Sequence, residues 1–341
     1  MSETSINVLF CANPGYFQHV AVAAVSLARS NSASRLNLHV ITCDRDPEGE
    51  RRLHESLDPH PNVTLQIHVA EGEAIANLFV DKFMSKECYL RLLAAEILPP
   101  EVTRFVYLDS DLVVVDDIRE LWQTDLGDTL LAAAPDYPRL QDFMRREHRE
   151  GLGIPLEATY VNSGVLVVDA ARWRAEGMAE VFMGYIREKH ERLSFYDQDA
   201  INAVLAGRIT LLDPRWNIQA RMFQVGRRFM PEDFDATLEA RQHPAIIHFT
   251  GSEKPWKFRA RTPKKQLYFR HLEQTAWRGQ RPAAQSPLHR IEHAAGIGLA
   301  RWLSVDYLQV LYKARRLGQL SSATATRLLG GGVAKDRAGS K

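Results

Sequence analysis

Asp109 and Asp111, separated only by Ser110, follow directly on the apolar run Phe105-Val-Tyr-Leu and precede four further apolar residues, Leu112 to Val115. Acids at that spacing, at the carboxyl end of a strand, offer two hard oxygen ligands. They leave other coordination positions for diphosphate and water, which suits Mg2+ or Mn2+. A solvated turn with two chance acids would read the same from this segment alone. Three other segments carry side chains of the same kind. Tyr160 to Asp169 sets Asn162, Ser163 and Gly164 at the mouth of an apolar run. Ser194 to Asn202 sets Asp197-Gln198-Asp199 at an expected helix amino terminus, where the helix dipole favours acids. Capping explains one of those acids but not the whole cluster. His248 to Lys257 follows a short apolar run and brings an imidazole, Gly251, Lys254 and Trp256. An imidazole beside two carboxylates would complete a manganese-like ligand set, and the lysine would balance phosphate charge. A lone histidine in such a run is more often a satisfied packing residue.

Those side chains need a scaffold, and the hydrophobic pattern supplies one. Apolar, β-rich runs at Ile6–Cys11, Leu36–Thr42 and Val63–Val69 alternate with helix-period segments at His19–Ser30 and Pro47–Leu57. That rhythm is the mark of βαβ units and a mostly parallel sheet. A helix over Glu87–Leu98 must end at Pro99 and Pro100, and the strand Phe105–Leu108 follows at once. Further strands are expected at Leu130–Ala134, Tyr160–Val168, Ile209–Leu212 and Ala245–Phe249, with helices over Ala170–Lys189 and Asp199–Ala206. The polar stretch Tyr137–Glu157 reads as an excursion over the surface. Residues 1–277 form the expected α/β catalytic domain. Residues 278–341 form a basic, helical extension with a flexible, Ser-, Gly- and Lys-rich end.

Composition narrows the class. At 341 residues, 45% hydrophobic and 25% charged, the chain is an ordinary globular protein with room for a large core. Neither a secretory signal nor a membrane-spanning run is evident. Cys11, Cys43 and Cys88 lack metal-ligand spacing and read as buried thiols of a reducing cytoplasm. The net charge of +1 hides an asymmetry: 25 basic and 37 acidic residues up to Thr250, against 18 and 5 after it. The basic end by itself implies an anionic partner, whether diphosphate, a membrane surface or nucleic acid. Within it, Leu299, Trp302, Leu303, Tyr307, Leu308 and Leu311 form an apolar stripe beside Arg301, Lys313, Arg315 and Arg316, a pattern of interfacial helices. No nucleic-acid partner is expected.

Together, Asp109-Ser110-Asp111, Asn162-Ser163-Gly164, Asp197-Gln198-Asp199 and His248 through Trp256 resemble retaining glycosyltransferase family 8 in order and spacing. Glycogenins and bacterial lipooligosaccharide galactosyltransferases belong to that family. The resemblance covers about residues 6 to 277. It implies a Rossmann-like GT-A fold and transfer of a hexose from a UDP-sugar, UDP-glucose or UDP-galactose, to a saccharide or lipid-linked saccharide acceptor. The setting it implies is surface-glycan synthesis in the cytoplasm or at the inner face of the membrane. Mn2+ or Mg2+ would be held by Asp109, Asp111 and His248. The donor would meet Cys11, Ala12, Asn13, Tyr16, Arg91, Asp109, Ser110, Asn162, Ser163, Gly251 and Lys254. Asp136, Asp197 and Gln198 would face the sugar and acceptor, the last two as the catalytic pair. Many family members carry an acid and an amide after the first strand, whereas this chain reads Cys11-Ala12-Asn13-Pro14-Gly15-Tyr16. Asn13 alone can offer an amide to the base. Two other classes share parts of the pattern: a haloacid dehalogenase-type phosphatase, which also ends a strand in Asp-x-Asp, and an inactive nucleotide-sugar-binding scaffold.

Overall fold

A computed structural model of the chain describes residues 5–71, 86–136, 147–224, 234–258 and 260–282. The expected interfacial residues Leu299 to Arg316 lie outside the described residues. So does most of the expected extension.

Among the described residues, ten strands form two sheets. The larger takes β1 (Ser5–Cys11), β2 (Arg35–Thr42), β3 (Val63–Val69), β4 (Arg104–Leu108), β6 (Leu131–Pro135), β7 (Val161–Asp169) and β8 (Ile209–Leu211) in the order β3-β2-β1-β4-β7-β6-β8. The smaller takes β5 (Leu112–Val114), β9 (Ile218–Gln219) and β10 (Ile246–His248) in the order β5-β10-β9. Pairing in the large sheet is parallel except that β7 runs antiparallel to both β4 and β6. Successive residues of a strand point to opposite faces, and here both faces are buried. In β1, Ile6, Val8 and Phe10 enter one core while Leu9 and Cys11 enter the other. In β4, Val106 and Leu108 join the first core, and Phe105 and Tyr107 the second. That double burial is why these strands read as continuous apolar runs.

The helices close both faces. Phe17–Ser30 and Pro47–Leu57 cover the first core, and Glu87–Ile97, Met178–Lys189 and Tyr196–Val204 the second. Glu87–Ile97 gives way to extended backbone at Leu98 (ψ 149°), as a residue before proline must. The single helix expected over Ala170–Lys189 is two, Ala170–Ala175 and Met178–Lys189, because Gly177 adopts φ +62° between them. The helix expected from Asp199 begins earlier, at Tyr196. Part of the surface excursion is helical, at Glu147–Leu152.

The second sheet was not legible in the hydrophobic pattern. Leu112–Val115 reads as one run with Phe105–Leu108, yet the chain changes sheets between them, at Asp109-Ser110-Asp111. The turn is pinned from both sides: the Asp109 N–H donates to the Gly164 carbonyl of β7 (2.8 Å), and the Asp111 carbonyl accepts from the Phe249 N–H just after β10 (2.8 Å). Antiparallel pairing of β10 with β5 sets His248 opposite Leu112, next to Asp111.

Candidate active site and cation centre

Asp109, Asp111 and His248 converge where the two sheets meet. Each offers one ligand atom, and these atoms lie within 4.8 Å of one another. His248 Nε2 is 3.1 Å from Asp111 Oδ1 and 3.4 Å from Asp109 Oδ2. Gly164 makes room for this: a Cβ there would stand 2.2 Å from His248 Cε1 and 2.7 Å from Asp109 Oδ2. The Lys254 ammonium bonds Asp111 Oδ2 and donates to the Phe249 carbonyl (2.9 Å). Burial raises the Asp111 carboxyl, but Lys254 and His248 more than offset it and hold it well below the usual carboxylate range. Lys254 on Asp111 and Arg91 on Asp109 balance much of the carboxylate charge, and the two carboxylates and the imidazole still offer three ligand atoms within one small space. Two hard oxygens and one borderline nitrogen are a set that Mn2+ accepts. The residues present therefore fit a divalent cation.

Arg91 joins this centre to the catalytic pair expected from sequence. It projects from Glu87–Ile97, with Nη2 3.0 Å from Asp109 Oδ1 and Nε 3.2 Å from Asp197 Oδ2. Its Nη1 donates to the Ser163 carbonyl (2.9 Å) and hydroxyl (3.2 Å). The guanidinium also lies 4.4 Å over the Tyr107 ring, whose hydroxyl donates to Asp109 (2.7 Å). Burial works against its charge, but Asp109 and Asp197 more than restore it. Arg91 thus bridges two acids of the candidate site.

Gln198 is fixed at both ends of its amide. Oε1 accepts from Asn162 Nδ2 (3.0 Å) and the Ser163 N–H (3.1 Å), and Nε2 donates to Asp136 (2.8 Å). Asp197 accepts from the Ser163 hydroxyl (2.9 Å). Asp199 belongs to the scaffold instead. Its fully buried carboxylate accepts from Tyr160 Oη (2.6 Å) and from the Ser194 and Phe195 N–H groups (2.6 and 2.8 Å), with His148 Nε2 at 3.2 Å. Those bonds hold the loop that enters the helix through Tyr196, a non-glycine residue at φ +47°.

Burial pushes the Asp197 carboxyl up to about 6, against the pull of Arg91 and with a further push from Asp109. The folded chain holds that proton more tightly than the unfolded one, so this group favours folding below about pH 4 and the contribution is lost as pH rises through about 6. Asp197→Asn should therefore gain thermal stability relative to the unaltered chain between pH 4 and pH 7. Melting curves at the two pH values test this, and an unchanged difference would show that Arg91 cancels the burial cost.

At the carboxyl end of β1, Cys11 and Ala12 are buried, Asn13 precedes the short turn Pro14–Tyr16, and Tyr16 is 40% exposed. Burial pushes the Cys11 thiol up and keeps it protonated. Cys43 and Cys88, expected to be buried, are only partly so. Trp256 of the Lys254 segment stacks on His19 of Phe17–Ser30 at 3.6 Å. Burial lowers that imidazole to about 3 and leaves it neutral. Gly251 turns the chain after β10 at φ +78°.

Two buried amides escaped the sequence reading. Asn217 Oδ1 lies 2.9 Å from His248 Nδ1, and Gln219 Nε2 donates to Asp136. The signal was present: in Trp216-Asn217-Ile218-Gln219-Ala220 the polar residues alternate with buried apolar ones, as a strand with one polar face would.

The family model that matches the chain is "Glycosyl transferase family 8", over residues 7–260. General stress protein A of Bacillus subtilis is 27% identical over 284 residues, covering 80% of this chain and 94% of that protein. The lipopolysaccharide 1,2-glucosyltransferase of Escherichia coli is 24% identical over 279 residues, covering 81% and 80%. Among solved structures, the galactosyltransferase LgtC in complex with donor and acceptor sugar analogues superimposes with a TM-score of 0.67 at 22% identity, covering 79% of this chain and 96% of that one. The fold is that of the GT-A glycosyltransferases.

Proposed function

This chain belongs to glycosyl transferase family 8, and we propose that it is a retaining enzyme moving a hexose from UDP-glucose or UDP-galactose to a saccharide acceptor, with Mn2+ or Mg2+ held by Asp109, Asp111 and His248. A glycosyltransferase has no place for the phosphatase alternative. The observation that carries the cation reading is the convergence of three ligand atoms from three separated segments. A divalent cation there supplies charge for the departing diphosphate. Lys254 adds a second positive charge beside it, on a segment anchored by the Trp256–His19 stack. Cys11, Ala12, Asn13 and Tyr16 fit the base and ribose end, and Ser110, Ser163 and Gly251 the diphosphate and sugar between. Asp136, Asn162, Asp197 and Gln198 present preorganised dipoles and charge to the sugar, fixed before substrate arrives. Gln198, an amide held at both ends, orients rather than attacks. The acceptor hydroxyl attacks the anomeric carbon on the face the diphosphate leaves, the bond to the diphosphate oxygen breaks, and the hydroxyl proton passes to that departing oxygen. Relatives named for lipopolysaccharide synthesis, and the basic residues after Thr250, support an acceptor carried on an anionic surface at the inner face of the membrane.

The test is UDP release from UDP-glucose, UDP-galactose and UDP-GlcNAc with Mn2+, with and without acceptor glycolipid in anionic vesicles. Release with one hexose, strengthened by the vesicles at low salt and stopped by excess EDTA, is the expected result. Undiminished turnover in EDTA defeats the metal reading. Tight UDP binding with neither hydrolysis nor transfer would instead favour the inactive binding protein.

A further inference from the structure

We infer that Asn217 is a positioning residue for the cation centre: its amide holds a proton on His248 Nδ1, so that Nε2, the nitrogen beside Asp109 and Asp111, is the one a cation would take. The inference rests on the reading of those three residues as a cation site. It follows from a chain of hydrogen bonds with only one consistent direction. The Gly164 N–H can only donate, and it points at Asn162 Oδ1 (3.0 Å). The Asp136 carboxylate accepts from Asn162 Nδ2 (3.4 Å), and Gln198 Oε1, whose own Nε2 is committed to Asp136, accepts from the same nitrogen (3.0 Å). Asn162 therefore has a single amide orientation. Its oxygen also faces Asn217 Nδ2 at 2.8 Å, so Asn217 presents its NH2 group there and its oxygen to His248 Nδ1 at 2.9 Å. An amide oxygen only accepts, so Nδ1 carries the proton. Flipping either amide would set donors against donors or acceptors against acceptors.

The surroundings hold this arrangement. Asn217 is 1% exposed and ends the short turn Pro214–Asn217, directly before β9, which pairs in parallel with β10 beside His248. A histidine ligand whose second nitrogen donates to a fixed acceptor keeps its tautomer and ring orientation, and losing such a partner typically weakens metal binding about 10- to 100-fold.

The experiment compares Mn2+ binding to the full chain, without donor, by the free-ion EPR signal. Asn217→Ala removes the acceptor and should weaken binding at least about tenfold. Asn217→Asp keeps an acceptor for Nδ1–H while losing the bond to Asn162, and should bind Mn2+ much as the unaltered chain does. Melting temperatures are measured beside the affinities. If Asn217 only packed, affinity would fall in step with melting temperature in both variants, and that result overturns the inference. Equal affinity of Asn217→Ala and the unaltered chain overturns it too. A second measurement does not depend on either variant: 15N spectra of the histidine-labelled protein with Mg2+, with His248 assigned by its loss in His248→Gln, should show Nδ1 as the protonated nitrogen. Protonation at Nε2 overturns the inference while leaving the cation site standing. Absence of any Mn2+ binding by the unaltered chain brings down the site and the inference together.

Discussion

Changing Asp111 to asparagine is expected to lower sugar transfer by about 10^3-fold or more, since a divalent cation at the leaving group supplies several kcal/mol of transition-state stabilisation. Asp111 serves two neighbours at once, with Oδ1 facing His248 Nε2 at 3.1 Å and Oδ2 bonded to Lys254. Asparagine has the same shape but carries no charge and turns an NH2 group to one of them. Mn2+ binding should be lost with it, because two ligands without the second negative charge hold a hard dication poorly. The fold should persist, since the turn is pinned by backbone bonds from Asp109 and Phe249 that the substitution does not touch. Mn2+ titration and UDP release, with circular dichroism for the fold, test this. A folded Asp111→Asn that still binds Mn2+ would falsify the assignment.

The second large effect is expected at Gly164, where the smallest possible addition is enough. An alanine Cβ would stand 2.2 Å from His248 Cε1 and 2.7 Å from both His248 Nδ1 and Asp109 Oδ2, far inside contact distance. The backbone cannot withdraw, since the Gly164 N–H is bonded to Asn162 (3.0 Å) and its carbonyl to the Asp109 N–H (2.8 Å). The imidazole must move instead, leaving both Asn217 and the carboxylates. Gly164→Ala should therefore weaken Mn2+ binding at least as much as losing the Asn217 partner does. Overpacking of this kind costs about 1–3 kcal/mol, or a few degrees of melting temperature in a domain of this size. Calorimetric Mn2+ titration beside a melting curve separates the two effects. Parent-like affinity at an unchanged melting temperature would mean that His248 is not held where the geometry puts it.

Much of the scaffold was legible because burial leaves a linear record. Strands with both faces covered, such as Ile6–Cys11, must be apolar throughout, and the helix Glu87–Ile97 must stop before Pro99 whatever surrounds it. The acids of the Asp109-Ser110-Asp111 turn were legible only together with the three other polar motifs, since alone they read equally as a solvated turn. The change of sheets at that turn left no such record, because Phe105–Leu108 and Leu112–Val114 are equally apolar and only their partners, β7 and β10, differ.

Side-chain roles divide along the same line. By itself the sequence determined which residues carry charge, which are apolar, and that four polar motifs occur in a family's order. The tertiary structure decided which of them meet. It made Arg91 a clamp between Asp109 and Asp197, turned Asp199 inward as a strut, and set Gln198 against Asn162 and Asp136. It also gave His248 a fixed tautomer through Asn217. The reason is one of range. Burial and helix propensity act on each residue and its near neighbours, so they appear in the order of the letters. A hydrogen bond between residues 31 positions apart, or an imidazole set beside a carboxylate 137 positions away, is selected only when the sheet has fixed both backbones, and the sequence order carries no trace of that distance.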